Sequence, residues 1–472
     1  MSNNTSRIKY LFKNTFIFAL GNIGTKLVSF FLVPLYTNYL LTEEYGTVDL
    51  VITLGSFIVP ILILNINEAI MRFSLDKDAD KNSIMSTGIT SLLFMILLAT
   101  LLYPLMLLYK PISEYSLYVY FYFISCGLST VFLYNLRGRE QLFHFSLGSI
   151  LHAFSTAVLN IIFLVVVDWG IPGFMLAYML GNVITAIYAF FAGRVISTIR
   201  HFRFDRKLTK EMIKYSVVLI PNSFMWWIMN ASNRVMLTAM VGLGSAGLYA
   251  VANKLPSLIS VVSSIFNQAW NYSAIKEDDT WDREEFNNRV FDYLFGFVCL
   301  AGAVLLLFLK PILTIYVEKS YFSSWAFTPP LIVGTCILVI STFLSSQYTV
   351  NKDSKGFLFS ATVGAAINIA LNFALIPVLS ELGASIATFA GYFAVLVYRA
   401  IDTKKYINIR VFSLKHVLTL IFLLTAAISV YLDNYGYALG AVSVISVIII
   451  YAKTLVGFAR SIMGQLFRKK KI

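Results

Sequence analysis

The sequence predicts an all-α integral membrane protein of fourteen transmembrane helices with both termini in the cytoplasm. Three observations predict it. Of 472 residues, 58% are hydrophobic and 13% charged, whereas soluble domains lie nearer half and a quarter. Apolar stretches of the roughly 20 residues that a bilayer requires recur fourteen times. Lysines and arginines gather at alternate ends of those stretches.

In chain order the candidate spans are 14–40, 47–71, 83–109, 116–136, 145–167, 173–193, 215–241, 248–273, 289–316, 326–348, 357–379, 383–398, 416–432 and 437–459. No large polar block interrupts them, so no soluble domain is expected. With the N-terminus inside, thirty of the 37 lysines and arginines fall on the cytoplasmic side. Three fall outside (Lys110, Lys310, Lys319) and four within spans (Lys26, Arg234, Lys254, Lys453). Such a bias implies an even number of spans with both ends inside. The outer connections are short, and several carry an acid: Glu43 and Glu44, Glu114, Asp168, Glu318, Glu381, Asp433. The net charge of +13 is this one-sided distribution rather than a nucleic-acid footprint. The tail Arg468-Lys-Lys-Lys471 suits the anionic surface of a membrane. The opening Met1-Ser-Asn-Asn-Thr-Ser-Arg7 runs into an apolar stretch with no cleavage-site pattern, so no removable signal peptide is expected.

Two features indicate an internal repeat. Leu159-Asn160, Asp168 and Gly173-x-x-x-Ala177-x-x-x-Gly181 recur as Leu371-Asn372, Glu381 and Gly383-x-x-x-Ala387-x-x-x-Gly391, at an offset of 210 to 213. The first and seventh spans match at an offset of 201, and Gly46 and Gly247 follow them at that same spacing. The expected organisation is two six-helix lobes, 1–200 and 201–408 (helices 1–6 and 7–12), with helices 13 and 14 added over 409–472. Six spans per half give both halves one orientation. That implies a pseudo-two-fold axis along the membrane normal and a substrate site between the lobes. The small-x-x-x-small ladders read as close helix packing.

The chemistry rests on ionisable residues inside spans, which are costly there and normally face a cavity or a partner. Lys26, in Gly21-Asn-Ile-Gly-Thr-Lys-Leu27, is about twelve residues from either end of its helix, about 18 Å deep at 1.5 Å per residue. Arg234, in Trp226-Trp-Ile-Met-Asn-Ala-Ser-Asn-Arg-Val-Met-Leu237, and Lys254 each sit seven residues from a helix end, about 10 Å deep. Lys26, Arg234 and Lys254 are the expected anion-binding set. Arginine supplies a fork suited to phosphate. Arg72, at the inner end of the second span, is a candidate entry point. Asp49 and Glu68 are the carboxylates within or bordering spans. Glu68 lies four residues before Arg72, a spacing that favours pairing. Otherwise either carboxylate is a candidate for binding a coupling cation, Na+ or H+. Lys453 reads as snorkelling. Phe121-Tyr-Phe123 reads as lipid-facing.

Other chemistries find no support. Cys126, Cys299 and Cys336 sit in apolar runs without metal spacing, and His144, His152, His201 and His416 form no ligand pattern. The Asn-x-Ser/Thr matches at Asn3, Asn4, Asn230 and Asn271 are cytoplasmic or in spans. No nucleophile–base set, phosphate loop or metal motif appears. A membrane transferase or polymerase would normally carry a sizeable polar loop with carboxylates, and the outer loops here are a few residues long. The expected protein is therefore a transporter, not an enzyme, without a resident cofactor or metal.

The ordered motifs carry a resemblance over nearly the whole chain. Asn14-Thr-Phe-Ile-Phe-Ala-Leu-Gly-Asn22 and Pro34-Leu-Tyr-Thr-Asn-Tyr-Leu-Leu-Thr-Glu-Glu-Tyr-Gly46 resemble the first helix and turn of the oligosaccharide repeat-unit flippases of the Wzx type. These are polysaccharide biosynthesis proteins of the multidrug/oligosaccharidyl-lipid/polysaccharide exporter superfamily. Asn233-Arg-Val-Met-Leu237 with Gly247-Leu-Tyr-Ala-Val-Ala-Asn-Lys254 is similar to the family's central signature. Leu371-Asn-Phe-Ala-Leu-Ile-Pro377 with Gly383-Ala-Ser-Ile-Ala-Thr388 is similar to its helix 11–12 segment. One departure stands out: the family often has an acid before the central cation, and here Asn233 leaves Arg234 without a neutralising neighbour in sequence.

The resemblance implies a V-shaped fold working by alternating access in the bacterial cytoplasmic membrane. The implied cargo is an undecaprenyl-pyrophosphate-linked oligosaccharide carried from the inner to the outer leaflet. Membrane lipids, a polysaccharide polymerase and glycosyltransferases would be its partners. The alternatives are a multidrug or peptidoglycan lipid-precursor exporter of the same superfamily and, from another class, a membrane-embedded glycosyl transferase or polymerase.

Overall fold

The computed structural model describes residues 24–76, 78–276, 283–351, 353–433 and 435–469. The motif Asn14–Asn22, the first half of the expected first span, and Lys77, Lys352, Lys470 and Lys471 lie outside these residues, as does the side chain of Lys453. Among the described residues the structure is helical, with no strand. Among these residues eight helices are long and apolar enough to cross a membrane, and two shorter apolar ones cover Leu414–Ser429 and Gly436–Ala452. The chain is a multi-pass membrane protein. Its contacts form two compact units, Met1–Ala250 and Val251–Ile472. The repeat boundary read at 200/201 concerns sequence, a separate matter from which helices pack together.

In the first unit, α1 (24–31) and α2 (Val33–Tyr39) lead to α3 (Thr42–Leu62) and α4 (Ile66–Ser74). The stretch 47–71 is thus not one continuous helix. Leu64 and Asn65 take left-handed backbone angles, and Asn65 N–H closes onto the Pro60 carbonyl at 2.6 Å. Asparagine tolerates this conformation. Then come α5 (Lys81–Leu108), the short α6 (Lys110–Ser113), α7 (Ser116–Gly138), α8 (Leu142–Asn160), α9 (Gly170–Ala192), α10 (Val195–Arg200), α11 (Arg206–Met240) and α12 (Leu243–Ala252). A π-helical turn, Ile161–Val166, continues α8. Acids cap the polar starts: Asp80 accepts from the Asn82 and Ser83 amides, and Asp205 from those of Lys207 and Leu208. Such caps satisfy amides that a helix start leaves unpaired. The Ser83 hydroxyl also donates to Asp80, which lowers its carboxyl pKa.

The interior of this unit forms where α4, α5 and α7 meet, around Ile63, Ile66, Ile70, Met85, Met95 and Val131. The outward faces are apolar too, with Leu93, Leu97, Leu101 and Leu108 of α5 exposed, as a lipid solvent requires. The aromatic triplet divides between these environments. Phe121 is exposed, while Tyr122 and Phe123 are buried, since successive helical residues point about 100° apart.

In the second unit, α13 (Lys254–Lys276), α14 (Arg283–Leu307) and α15 (Leu309–Tyr316) precede α16 (Thr328–Val350). α16 is the central helix of the unit, with 83% of its apolar window buried, against 22% for α5. α17 (Ser354–Asp402) is bent at Ser380, and α18 (Leu414–Ser429) and α19 (Gly436–Lys469) close the chain.

The ladders pack as the spacing predicts. A Cβ at Gly181 would collide with the Thr156 hydroxyl, and one at Gly391 would meet the Gly364 carbonyl at 3.0 Å and the Asn368 Cβ at 3.1 Å. Each repeat therefore lays its glycine helix on the one before. The turns between those helices correspond as well. Asp168 (φ 56°) and Ser380 (φ 48°), related by an offset of 212, both have left-handed backbone angles. Ser380, with ψ −124°, occupies a region that glycine enters freely and other residues enter with strain. Ser380→Gly is accordingly expected to stabilise the purified protein, by about 1 kcal/mol. A thermal unfolding midpoint below the parent's would contradict this.

Candidate functional site

α3 presents one stripe of residues at helical spacing: Asp49, Thr53 and Phe57. Residues four apart lie on the same face, and α11 lies along this one. Arg234 Nε is 2.9 Å from Asp49 Oδ2. Its Nη1 donates to the Thr53 hydroxyl at 3.2 Å. Two turns earlier on α11, the Trp227 indole donates to the Thr53 carbonyl at 3.1 Å and stacks on Phe57 at 4.6 Å. Phe224 extends the contact, with its ring 5.3 Å from that of Phe57. The Asn233 amide donates to the Tyr249 hydroxyl at 2.9 Å, tying α11 to α12.

The cation and the carboxylate expected to serve separate tasks are thus partners. The neutralising neighbour that Arg234 lacks in sequence comes from a helix some 185 residues earlier. The side chains are 22% and 10% exposed, so the pair is sheltered but not sealed. Arg234 Nη2 makes no hydrogen bond among the described residues, which leaves donors for an anion.

The other expected residues are placed as follows. Lys26 is exposed on α1, and no hydrogen bond or ion pair joins it to Asp49 or Arg234. Lys254 begins α13 in the second unit and is half-buried. Arg72 is exposed at the end of α4 and pairs with Asp76 at 2.7 Å. The expected Glu68–Arg72 pair does not form. Asp76, one turn further along the chain, takes the guanidinium instead, and Glu68 is half-buried. Among the described residues no cluster of His, Cys, Asp or Glu could hold a metal ion. The three cysteines are free.

Sequence reasoning overlooked two charged clusters in the second unit. Arg399, counted among the loop cations, is 1% exposed. It donates to the Ser360 hydroxyl and the Ser341 carbonyl, each at 3.0 Å, and so joins α16 to both parts of α17. Asp292 on α14 accepts from His416 at 2.7 Å and from Lys415 at 3.0 Å. A signal was available for Arg399, which sits inside Tyr398-Arg-Ala-Ile401 with no polar residue beside it. None was available for the Asp292 cluster, whose members lie more than 120 residues apart. At the start of α17, Asp353 has its pKa lowered to about 2 by the Gly356 amide, the Tyr406 hydroxyl and Lys405.

The described fold has relatives among solved structures. A structure of the lipid II flippase MurJ in an inward-closed conformation is 13% identical, with a TM-score of 0.68 over 96% of this chain and 100% of that one. An inward-facing multidrug-resistance MATE transporter of the MOP superfamily is 14% identical, with a TM-score of 0.65 over 82% and 94%. A MOP superfamily transporter from Pyrococcus furiosus, described as having a binding pocket of reversed polarity, is 14% identical, with a TM-score of 0.59 over 84% and 94%. At these identities the likeness concerns the fold. No curated protein matches the sequence. The model of one family, described as polysaccharide biosynthesis protein, matches residues 11–271, more than half of the chain. The chain belongs to the polysaccharide biosynthesis protein family.

Proposed function

We propose that the chain is a flippase that carries an undecaprenyl-pyrophosphate-linked oligosaccharide from the inner to the outer leaflet of the bacterial cytoplasmic membrane, by alternating access. The observation that carries this reading is the Asp49–Arg234 pair, with guanidinium donors left over. In the empty protein Asp49 neutralises Arg234. An entering pyrophosphate takes the open Nη2 donors as a bidentate acceptor and competes with Asp49 for the cation. Protonation of Asp49, or Na+ bound to it, would then settle the displaced carboxylate, which makes it the coupling residue. Lys26 and Lys254 add positive charge for acidic sugars or phosphate, Arg72 serves as an entry contact, and Glu68 is a second coupling candidate. The frame for this is fourteen spans with both ends cytoplasmic, as two six-helix repeats (1–200, 201–408) with 409–472 added. A polymerase and glycosyltransferases would act beside it.

A second reading, export of an amphiphilic cation, draws on Asp49 as a sheltered carboxylate. Arg234 speaks against it, since it cancels the charge such a substrate would need. Leaflet access in proteoliposomes separates the two. A fluorescent polyprenyl-pyrophosphate oligosaccharide is placed in both leaflets and a membrane-impermeant quencher added outside. The inner pool should become accessible with the parent protein and stay protected with Arg234→Ala. Exposure no faster than in empty liposomes, with and without an ion gradient, would remove the lipid-linked substrate and leave the cation exporter to be tested with small amphiphilic dyes.

A further inference from the structure

A cavity of about 340 Å³ opens where α17 ends and α18 begins, lined by Lys404, Asn408, Arg410, Phe412 and Ser413 among others. That volume is within the range of small-ligand pockets. Lys404 and Arg410 are exposed, and neither side chain has an ion-pair or hydrogen-bond partner among the described residues. Two cations sharing a hollow repel one another unless an anion joins them.

The cavity is also held in shape. The Asn288 side chain on α14 donates to the Asn408 carbonyl at 3.0 Å and accepts from the Arg410 amide at 2.9 Å. The Arg410 carbonyl faces His416 Nδ1 at 2.9 Å, and the other ring nitrogen of His416 meets Asp292. Arg410 is therefore fixed through its backbone, while its guanidinium is left unengaged.

The surroundings select the kind of anion. Ile401 and Phe412, which line the cavity, are 65% and 49% exposed, and Leu414, next in the chain after Ser413, is 75% exposed. From Leu414 an exposed apolar stripe runs along α18 through Val417, Ile421, Leu424 and Ile428, at the spacing of one helix face. A hollow with two free cations at the polar end of two apolar helices, continued by an apolar stripe, fits a phosphate group joined to acyl chains.

We propose that this cavity binds the phosphate headgroup of an anionic phospholipid, with Lys404 and Arg410 as its ligands and the α18 stripe as the bed for an acyl chain. Basic pockets at the membrane boundary attract such headgroups at about 1 kcal/mol per cation. The lipid is distinct from the transported substrate, and the site stands whether or not the flippase reading does.

Native mass spectrometry of the full chain in detergent tests it, with cardiolipin, phosphatidylglycerol or phosphatidylcholine added. The parent is expected to retain the two anionic lipids and not phosphatidylcholine. Lys404→Gln/Arg410→Gln should weaken retention about thirtyfold. Lys207→Gln/Lys210→Gln, which removes the same charge from α11, should change it little. Asn288→Ala, at unchanged charge, should weaken it by opening the cavity. Equal retention of all three lipids, or an unaffected double variant, would overturn the proposal. Displacement by millimolar inorganic phosphate would also overturn it, assigning the cavity to free phosphate. Unfolding midpoints of each variant equal to the parent's would show that lost binding is not lost folding.

Discussion

Asp49→Ala is expected to destabilise the detergent-purified protein by about 3–5 kcal/mol, the usual cost of stranding one member of a sheltered ion pair. Arg234→Ala should do similar harm by leaving the Asp49 carboxylate alone. The double variant is expected to recover most of that loss. Removing both charges removes the uncompensated one, and replacing a buried pair by apolar groups is often neutral. The coupling energy of this double-mutant cycle would be read from unfolding midpoints. Additive losses would mean that the two side chains do not act as a pair.

Function should not recover with stability. If Arg234 binds the substrate anion, surface polysaccharide will be lost in Arg234→Ala and remain lost in the stable double variant, with the protein still in the membrane. Asp49→Asn, which keeps the shape and removes the charge, should uncouple transport from an ion gradient while leaving substrate binding in place. A double variant that is stable and transports at the parent rate would show the pair to be structural, and the search for the anion site would move to Lys26 and Lys254.

The difference between what was and was not legible in the sequence has a physical origin. Apolar length and the glycine ladders are local quantities, so the helices of α5, α7 and α9 and the packing of Gly181 and Gly391 could be read directly. The break at Leu64 and Asn65 was hidden because hydrophobicity continues through it. What betrays it is backbone chemistry: Pro60 lacks an N–H, and Asn65 tolerates a left-handed angle. Arg234 could be singled out because charge within an apolar run is conspicuous. Asp49 could be named as a carboxylate at the border of a span, but its pairing with Arg234 could not be read, since the two lie 185 residues apart in sequence. Asp292 with His416, and Ser360 and Ser341 with Arg399, needed the tertiary fold.

Gly46→Leu and Gly247→Leu are each expected to abolish accumulation of folded protein. A Cβ at Gly46 would collide with the Leu243 carbonyl, and one at Gly247 with the Thr42 carbonyl. Both obstacles are backbone, which cannot rotate aside as a side chain can. The two contacts are reciprocal: Thr42 and Leu243, like Gly46 and Gly247, are related by the repeat offset of 201. Each helix start thus offers its glycine to the other's first carbonyl, the self-complementary pattern of a two-fold contact. α3 and α12 cross there at backbone distance, as small residues permit in membranes. The crossing lies at the N-terminal ends of the helices that carry Asp49 and Tyr249, the partner of Asn233. Widening it would therefore also pull α3 away from α11. The measurement is monodispersity and yield by size exclusion from membranes expressing each variant. Gly244→Ala serves as the control, since a Cβ there meets nothing closer than 3.5 Å. Near-parental yield of either leucine variant would mean that the two backbones can separate without loss of the fold, and the two-fold contact would then be an accident of sequence rather than the joint that sets α3 against α11.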